Sequence, residues 1–386
     1  MLKKITFLVV TIWSATIWPV AAQTRVATPV ELQNLLKTNT QGAVVSLCGI
    51  DPVSCPRVSI SQTFTGGKLI FSDSPESPSV AGILYLDTNL AATVRGTANR
   101  IFVYHVNASP SGKMKFSVLI RNDGNSVADL TVRRTGVAGP GGNYMLVGET
   151  ALYRWLTSSP SPTRTIAPGQ IVRLDAGFDS ITAGHNDLMN GIWDYTFDQP
   201  HAIFICALHA NDVPIAEVSR LKLLARDIHD RGTFAHCDKV FAPGAGAIID
   251  TAGGVRRFPI GGNGDVYVRG YDNAVFPPIA VINDGNYGVF YTVKMNIASD
   301  NSRALALLIS PQGGPWCGAV NAAPGLLPGK AFIIPSGGKA ASDPSSAAIE
   351  GEYFPGPRKE LWFQFMPAGA SSFPVYVMIV PFSQDH

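Results

Sequence analysis

Pro278-Ile279-Ala280-Val281-Ile282-Asn283-Asp284-Gly285-Asn286 repeats, at an offset of 161 positions, the pattern of Ser117-Val118-Leu119-Ile120-Arg121-Asn122-Asp123-Gly124-Asn125. Each is a short apolar run that ends in Asn-Asp-Gly-Asn. Such a run between turn residues reads as a strand, and Asp-Gly supplies the positive φ angles of a tight hairpin. Alternating runs follow both copies, at 127–132 and 287–293. Beyond them lie Gly/Pro loops, Gly139-Pro140-Gly141-Gly142-Asn143 and Ser310-Pro311-Gln312-Gly313-Gly314-Pro315. Pro168-Gly169-Gln170 and Pro328-Gly329-Lys330 precede further apolar runs, and each half closes on an apolar strand, 202–208 and 375–380. Several matched features at nearly one offset imply an internal duplication. A unit of short strands with recurrent turns is most simply a β-sandwich. The two tetrapeptides are therefore expected to occupy equivalent hairpin turns.

Working outward, Thr28-Pro29-Val30-Glu31 has the form of a capped helix start, with Leu32, Leu35 and Leu36 on one face and Gly42 as the stop. Pro214, Val218, Leu221, Ala225 and Ile228 follow helical spacing after Asp212, which predicts a short helix between the halves. The expected fold is all-β, two related β-sandwich domains in tandem with a short N-terminal helix and a short linker helix. Its boundaries are a signal peptide at 1–22, an N-terminal extension at 23–79, sandwiches at 80–210 and 240–386, and a helical linker at 211–239.

Lys3 and Lys4, the apolar stretch 5–18, Pro19 and Val20-Ala21-Ala22 form the three parts of a secretory signal, with cleavage expected before Gln23. The apolar stretch is shorter than a spanning helix needs. Lys+Arg number 30 and Asp+Glu 28, and the leader carries Lys3 and Lys4 but no acid, so the mature chain is formally neutral. Neutrality argues against nucleic acid, whose phosphates demand a basic surface, and against docking on anionic lipid. Charged residues are 15% of the chain, while Gly (38) and Pro (28) are plentiful, in keeping with strands and frequent turns. Of the five cysteines, Cys48 and Cys55 flank Asp51-Pro52 and are expected to form a disulfide outside the cytoplasm. Pairing of Cys206, Cys237 and Cys317 stays open.

The run from an apolar strand through Asn-Asp-Gly-Asn and on to Pro-Gly resembles immunoglobulin-like sandwich modules of bacterial surface proteins. His229-Asp230-Arg231-Gly232-Thr233-Phe234 and Gly285-Asn286-Tyr287-Gly288-Val289-Phe290-Tyr291 look like segments of an uncharacterised exported family, best known from cyanobacteria and labelled only as a domain of unknown function. The resemblance implies export and architecture and carries no activity.

G-x-S-x-G, H-E-x-x-H, a P-loop and an EF-hand loop are all missing. Gly262-Asn263-Gly264-Asp265 with Asp272-Asn273 offers oxygens to calcium, against the plainer reading of two turns. The densest polar cluster is Asp227, His229, Asp230, His236 and Asp238 beside Cys237, which His201 and His209, eight apart on one face of an expected strand, could join; paired surface charges are favoured there over a metal site. His185-Asn186-Asp187 reads as a loop tip, and His105 as a strand residue. Trp155, Trp193, Trp316 and Trp362 are core in preference to a sugar-stacking platform. No catalytic, cofactor or metal residue is assigned. The expectation is a non-enzymatic structural or binding protein in the periplasm or at the cell surface, whose partner is a surface protein or polysaccharide. The alternative is a hydrolase or metal-dependent enzyme with its site between the halves.

Overall fold

β-Branched and aromatic residues, interrupted at short intervals by Gly and Pro, favour pleated strands over long helices. The computed structural model describes residues 25–386 apart from 111, 245–246, 300–302, 326–329, 338–339, 354–355, 357–358 and 384–386. The leader and Pro328-Gly329 lie outside the described residues. The chain begins with helix α1 (Val30–Thr38) and strands β1 (Val44–Ser46) and β2 (Ile60–Thr65). Then come β3 (Leu69–Ser72), β4 (Gly82–Leu90), β5 (Asn99–Val106), β6 (Met114–Asn122) and β7 (Ala128–Gly141). Helix α2 (Tyr144–Thr157) separates these from β8 (Arg164–Ile166), β9 (Ile171–Arg173), α3 (Ala176–Ser180), β10 (Leu188–Phe197) and β11 (His201–His209). A single turn, α4 (Pro214–Glu217), leads to β12 (Arg231–Phe234), β13 (Asp238–Pro243), β14 (Ile249–Asp250), β15 (Arg256–Ile260), β16 (Arg269–Asp272) and β17 (Ile279–Ile282). The last strands are β18 (Phe290–Ala298), β19 (Arg303–Pro311), β20 (Gly318–Ala322), β21 (Ala331–Ile334), β22 (Ser346–Tyr353), β23 (Lys359–Pro367) and β24 (Val375–Ser383).

The all-β architecture of two related sandwiches holds, and the strand pairing defines the relation. In the first half β4 pairs with β11, β5 with β10, β6 with β9 and β7 with β8. In the second half β15 pairs with β24, β18 with β23, β19 with β22 and β20 with β21. First strand with eighth, second with seventh and so inward is a long hairpin rolled into two sheets, the winding of a jelly roll. It differs from the immunoglobulin order suggested by the sequence likeness. Even the lead-in strands match, since β3 adds parallel to β5 and β13 adds parallel to β18. The two rolls have the same strand order throughout, 3-5-10-7-8 over 4-11-6-9 and 13-18-23-20-21 over 15-24-19-22.

The tetrapeptides that suggested the duplication are not equivalent within it. Asn122-Asp123-Gly124-Asn125 joins β6 to β7, and Asn283-Asp284-Gly285-Asn286 joins β17 to β18. Neither is a hairpin, because each connection passes between strands of different sheets. Neither Gly124 nor Gly285 has positive φ; Asn286 (45°) and Gly288 (75°) turn the second loop. The resemblance between the loops lies in their first residue. The Asn122 amide donates to Ser126 O and the Asn283 amide to Tyr287 O, both at 2.8 Å and both four residues on. A buried side-chain amide that clamps a loop in this way can recur wherever a chain changes sheet.

The expected boundaries at 79/80 and 239/240 are crossed by hydrogen bonds. Strands β1 and β2, from the N-terminal extension, pair with β22 and β13 of the second roll. Strand β12 pairs with β3 of the first roll, and the β16–β17 hairpin, inserted between β15 and β18, continues that sheet. Helix α2, inserted between β7 and β8, packs in return on β20 and β21. Each roll is thus completed by an insertion from the other. One core runs from the inside of the second roll (Val293, Leu307, Phe363, Phe365) past Trp155 of α2 to the outer face of the first roll's larger sheet (Phe71, Phe102). The first roll's interior holds Ile101, Phe116, Ile120, Trp193 and Tyr195. Helix α1 closes the second roll's outer face with Leu32 and Leu36.

The expected linker helix shrinks to the single turn α4. Asp212 does not cap it; its carboxylate accepts instead from His209 N. Residues 222–224 run beside β4, with Ile83 N donating to Lys222 O and Leu224 N donating to Ile83 O. Pairing with an open strand edge satisfies the same backbone groups that a helix would use. The expected Cys48–Cys55 disulfide is likewise absent, and all five cysteines are free. The Asp51-capped turn Pro52–Ser54 aims Cys55 Sγ at Asp51 O, while Cys48 Sγ faces Ser46 O.

Candidate anionic site

The charged residues of the sequence clusters divide into structural pairs and one cavity. Arg100 of β5 is buried where the rolls meet. It donates to both oxygens of Asp194 (2.7 and 3.1 Å), to Cys237 O (2.7 Å) and to Gly288 O (3.0 Å), lies 3.0 Å from Asp238, and stacks over Trp155. Asp238 is therefore half of an inter-roll ion pair. Both candidate calcium carboxylates are also engaged. Asp265 pairs with buried Lys239 and accepts from Tyr291, and Asp272 accepts from Arg231 at 3.1 Å. Asn273 donates to Asp87 at 2.7 Å.

Three arrangements of hydroxyl and imidazole have the ingredients of nucleophile activation, and their geometry separates them from it. Ser72 Oγ lies 2.9 Å from His105 Nε2, but both residues are fully buried and the ring packs on Phe116. Tyr195 and His201 form a second buried pair at 2.9 Å. Burial pulls both imidazoles down to about 4, so each is neutral near pH 7. The third set reaches the surface, but Asp227 stands between the other two groups. It accepts from Ser74 Oγ at 2.9 Å and lies 3.2 Å from His229 Nδ1. The hydroxyl therefore meets a carboxylate that its hydrogen bonds hold low, a weak base, and not the imidazole. His185 faces Ser109 O, and Asp187 instead accepts from Gly184 N.

What remains is a cavity of about 170 Å³ beside His229, lined by carboxylates from three segments: Asp73 after β3, Asp230 before β12, and Asp284 in the β17–β18 loop. Phe71, Ile228 and Tyr287 form its apolar wall. His229 Nε2 lies 3.1 Å from Glu76, and Arg226 donates to Asp230 at 2.7 Å, so two of the surrounding acids have cationic or ionisable partners. Asp73 has none: the residue is part-buried, and its Oδ1 is enclosed without a hydrogen bond. Burial first, and then the charges of Glu76, Asp227 and Asp230, hold Asp73 well above the ordinary carboxylate range. Burial likewise raises Asp230, with Arg226 opposing and Asp284 adding to the rise. For Asp227 burial also works upward, but hydrogen bonds from the His229 and Glu76 backbone N–H groups and from side chains outweigh it and hold the group low.

Of the sequence cluster, the cavity brings together only His229 and Asp230, with Asp227 behind them. His236 stacks on Phe64, Cys237 is buried against Ala98 O, and His201 and His209 sit in β11. Among the described residues no three His, Cys, Asp or Glu side chains are grouped so as to hold a metal ion. Asp73 and Glu76 lie in the turn-rich stretch Asp73-Ser74-Pro75-Glu76-Ser77-Pro78, where only the acid content points to the site. Asp284 was hidden inside a turn motif. Trp155, Trp193 and Trp316 are fully buried and Trp362 is packed against the core, so the tryptophans are core residues.

No family model matches the sequence, and no curated protein matches it. Among solved structures the chain is similar to the PBSX exported protein XepA, at 8% identity over 84% of this chain and 86% of that one, with a TM-score of 0.15. Vicilin from Solanum lycopersicum (tomato) matches at 9% identity over 76% and 82%, with a TM-score of 0.13. The L499M mutant of the laccase from B.aclada matches at 9% identity over 76% and 52%, also at 0.13. Likenesses this distant carry no inference about fold or function.

Proposed function

We propose that this protein is an exported, non-catalytic binding or structural protein of the periplasm or cell surface. The observation that supports this best is the anionic cavity. It gathers Asp73, Asp230 and Asp284 from three segments, and the imidazole beside it is held by Asp227 and Glu76 instead of by a hydroxyl. The leader-like residues 1–22 supply the case for export. Among the described residues no helix is long and apolar enough to cross a membrane. Expression of the full precursor in a Gram-negative host, with fractionation and N-terminal sequencing, tests export: a mature chain starting at Gln23 outside the cytoplasm is expected, and a cytoplasmic chain retaining Lys3 and Lys4 would overturn it. A panel of ester, glycoside and phosphoester substrates tests the other half of the reading. The second reading, a hydrolase sited between the halves, is favoured by position, because Asp73 belongs to the first roll and Asp284 to the loop that enters β18 of the second. Turnover abolished by His229→Ala would establish it in place of the first.

A further inference from the structure

Helix α2 is held on two sides, by β7 and β10 of its own roll and by β20 and β21 of the second. The contact with the second roll is close: a Cβ on Gly148 would lie 3.0 Å from Ala368 Cβ and 3.1 Å from Gly369 N. The next residue, Glu149, is 1% exposed, and neither of its carboxyl oxygens has a hydrogen-bond partner. A buried carboxyl is tolerated when it is paired or protonated. None of the described cations around α2 pairs it. On the side of the second roll, β20 and β21 carry no ionisable side chain. Cys317, just before β20, is the titratable group beside Glu149, and its thiol donates to Met145 O at 3.8 Å. On the side of the first roll, Asp129 and Arg133 of β7 are exposed, Arg134 lies over the Trp155 ring, and Asp194 of β10 is paired with Arg100. On α2 itself Arg154 donates to Val137 O and Tyr144 to Asn186 O, while Tyr153 is exposed. The last turn of α2 is fixed at Trp155, with Arg100 and Arg134 at 4.5 and 4.7 Å from its ring. The first turn follows exposed Gly142, where a Cβ would meet nothing within 4 Å. The helix can therefore tilt about Trp155 without breaking a strand. We propose that α2 is a proton-dependent latch between the rolls: protonated Glu149 holds it against β20 and β21, and loss of that proton opens this contact and exposes Cys317.

Burial holds the Glu149 carboxyl up to about 7, with the Cys317 thiol opposing. In water it would return to the usual glutamate range, about 4.3. The closed contact is therefore fully stable below the open value, and that stability is lost as pH rises through the closed one. Alkylation of the mature protein with N-ethylmaleimide, read at each cysteine by peptide mapping, tests this. Each native rate is divided by the rate of the same peptide in the urea-unfolded chain at the same pH, which removes the ordinary ionisation of the thiol. The Cys317 ratio is expected to rise roughly tenfold or more from pH 5 to pH 8 and then to level off. Cys55, packed with Leu32 and Leu36 on the outer face of the second roll, should stay flat over that range. Glu149→Gln, which keeps the shape and removes the charge, should hold the Cys317 ratio at its pH 5 level throughout. A thermal melt at pH 5.5 checks that this variant folds; if it does not, the wild-type ratios of Cys317 and Cys55 decide alone. A flat wild-type Cys317 ratio, an equal rise in Glu149→Gln, or a parallel rise at Cys55 would each overturn the latch.

Discussion

At the residue scale, several glycines are fixed by close approach and not by backbone conformation. A Cβ on Gly136 of β7 would lie 2.1 Å from Ala151 O and 2.6 Å from Trp155 N, both backbone atoms of α2. The helix would have to lift off the strand to admit it. Gly136→Ala is expected to cost on the order of 1–3 kcal/mol in urea unfolding. A Cβ on Gly285 would lie 2.1 Å from the Tyr287 ring, which is anchored through its hydroxyl to Ser371 O. Gly285→Val is therefore expected to cost a similar amount, about 1–3 kcal/mol, through overpacking. Arg100 presents the electrostatic counterpart. Arg100→Met strands Asp194 and Asp238 where the rolls meet, and a loss of roughly 3–5 kcal/mol is expected for breaking a buried pair. Replacing Asp194 by Leu in the same chain should recover part of that loss; no recovery would mean that the arginine acts mainly through its stack on Trp155.

At the scale of elements, α2 is an insertion in the first roll that the second roll uses as packing. Asn143 caps it by accepting from Leu146 N at 3.2 Å, and Val147, Ala151, Leu152 and Trp155 form its buried stripe. Asn143→Ala should cost about 1 kcal/mol, measured as a shift of the urea midpoint at unchanged slope. The stripe and the cap were both present in the sequence, but the preceding Gly139-Pro140-Gly141-Gly142 drew the reading towards a loop. The N-terminal thiols belong to the same scale. Cys48 and Cys55 lie in the segment from β1 to β2, whose position is set by pairing with the second roll and by α1. Alkylation of the unfolded mature protein without reductant is expected to label five cysteines; labelling of three would restore the disulfide.

At the scale of the whole molecule, burial shifts two opposing sets of protons. It pushes Glu149 and Glu352 up to about 7 and Asp179 up to about 6, and holds Asp73 and Glu350 well above the usual range. An acid raised in the folded state stabilises fully below its unfolded pKa, and that contribution is lost as pH rises through the folded value. His105 and His201, pulled down to about 4, act the other way: their contribution is present above about 6.5 and is lost as pH falls towards 4. Five acids outweigh two imidazoles, so the melting temperature is expected to be higher at pH 5.5 than at pH 8. Glu149→Gln should flatten that slope. A melting temperature that rises from pH 5.5 to pH 8 would show that the histidines dominate.

Local chemistry was legible along the chain. Alternation and turn residues set the strand content, Leu32 and Leu36 set the buried face of α1, and the apolar closing strands at 202–208 and 375–380 are truly equivalent as β11 and β24. The chain also contained the duplication, but the features at an offset near 160 were coincidental. The equivalent strands β4 and β15 begin 174 residues apart, at 82 and 256, whereas β6 and β19 begin 189 apart, at 114 and 303. Insertion of β16–β17 in one copy and α2 in the other breaks any single offset. The remaining features depend on long-range contacts. Which strand edge accepts β1, β2, β12 or the 222–224 segment depends on edges built by residues far along the chain, and local propensity has no information about them. The anionic cavity is of the same kind. Asp73, Asp230 and Asp284 are acids in three unremarkable turns, and they become one site only because the first roll's sheet and the loop entering the second roll meet there.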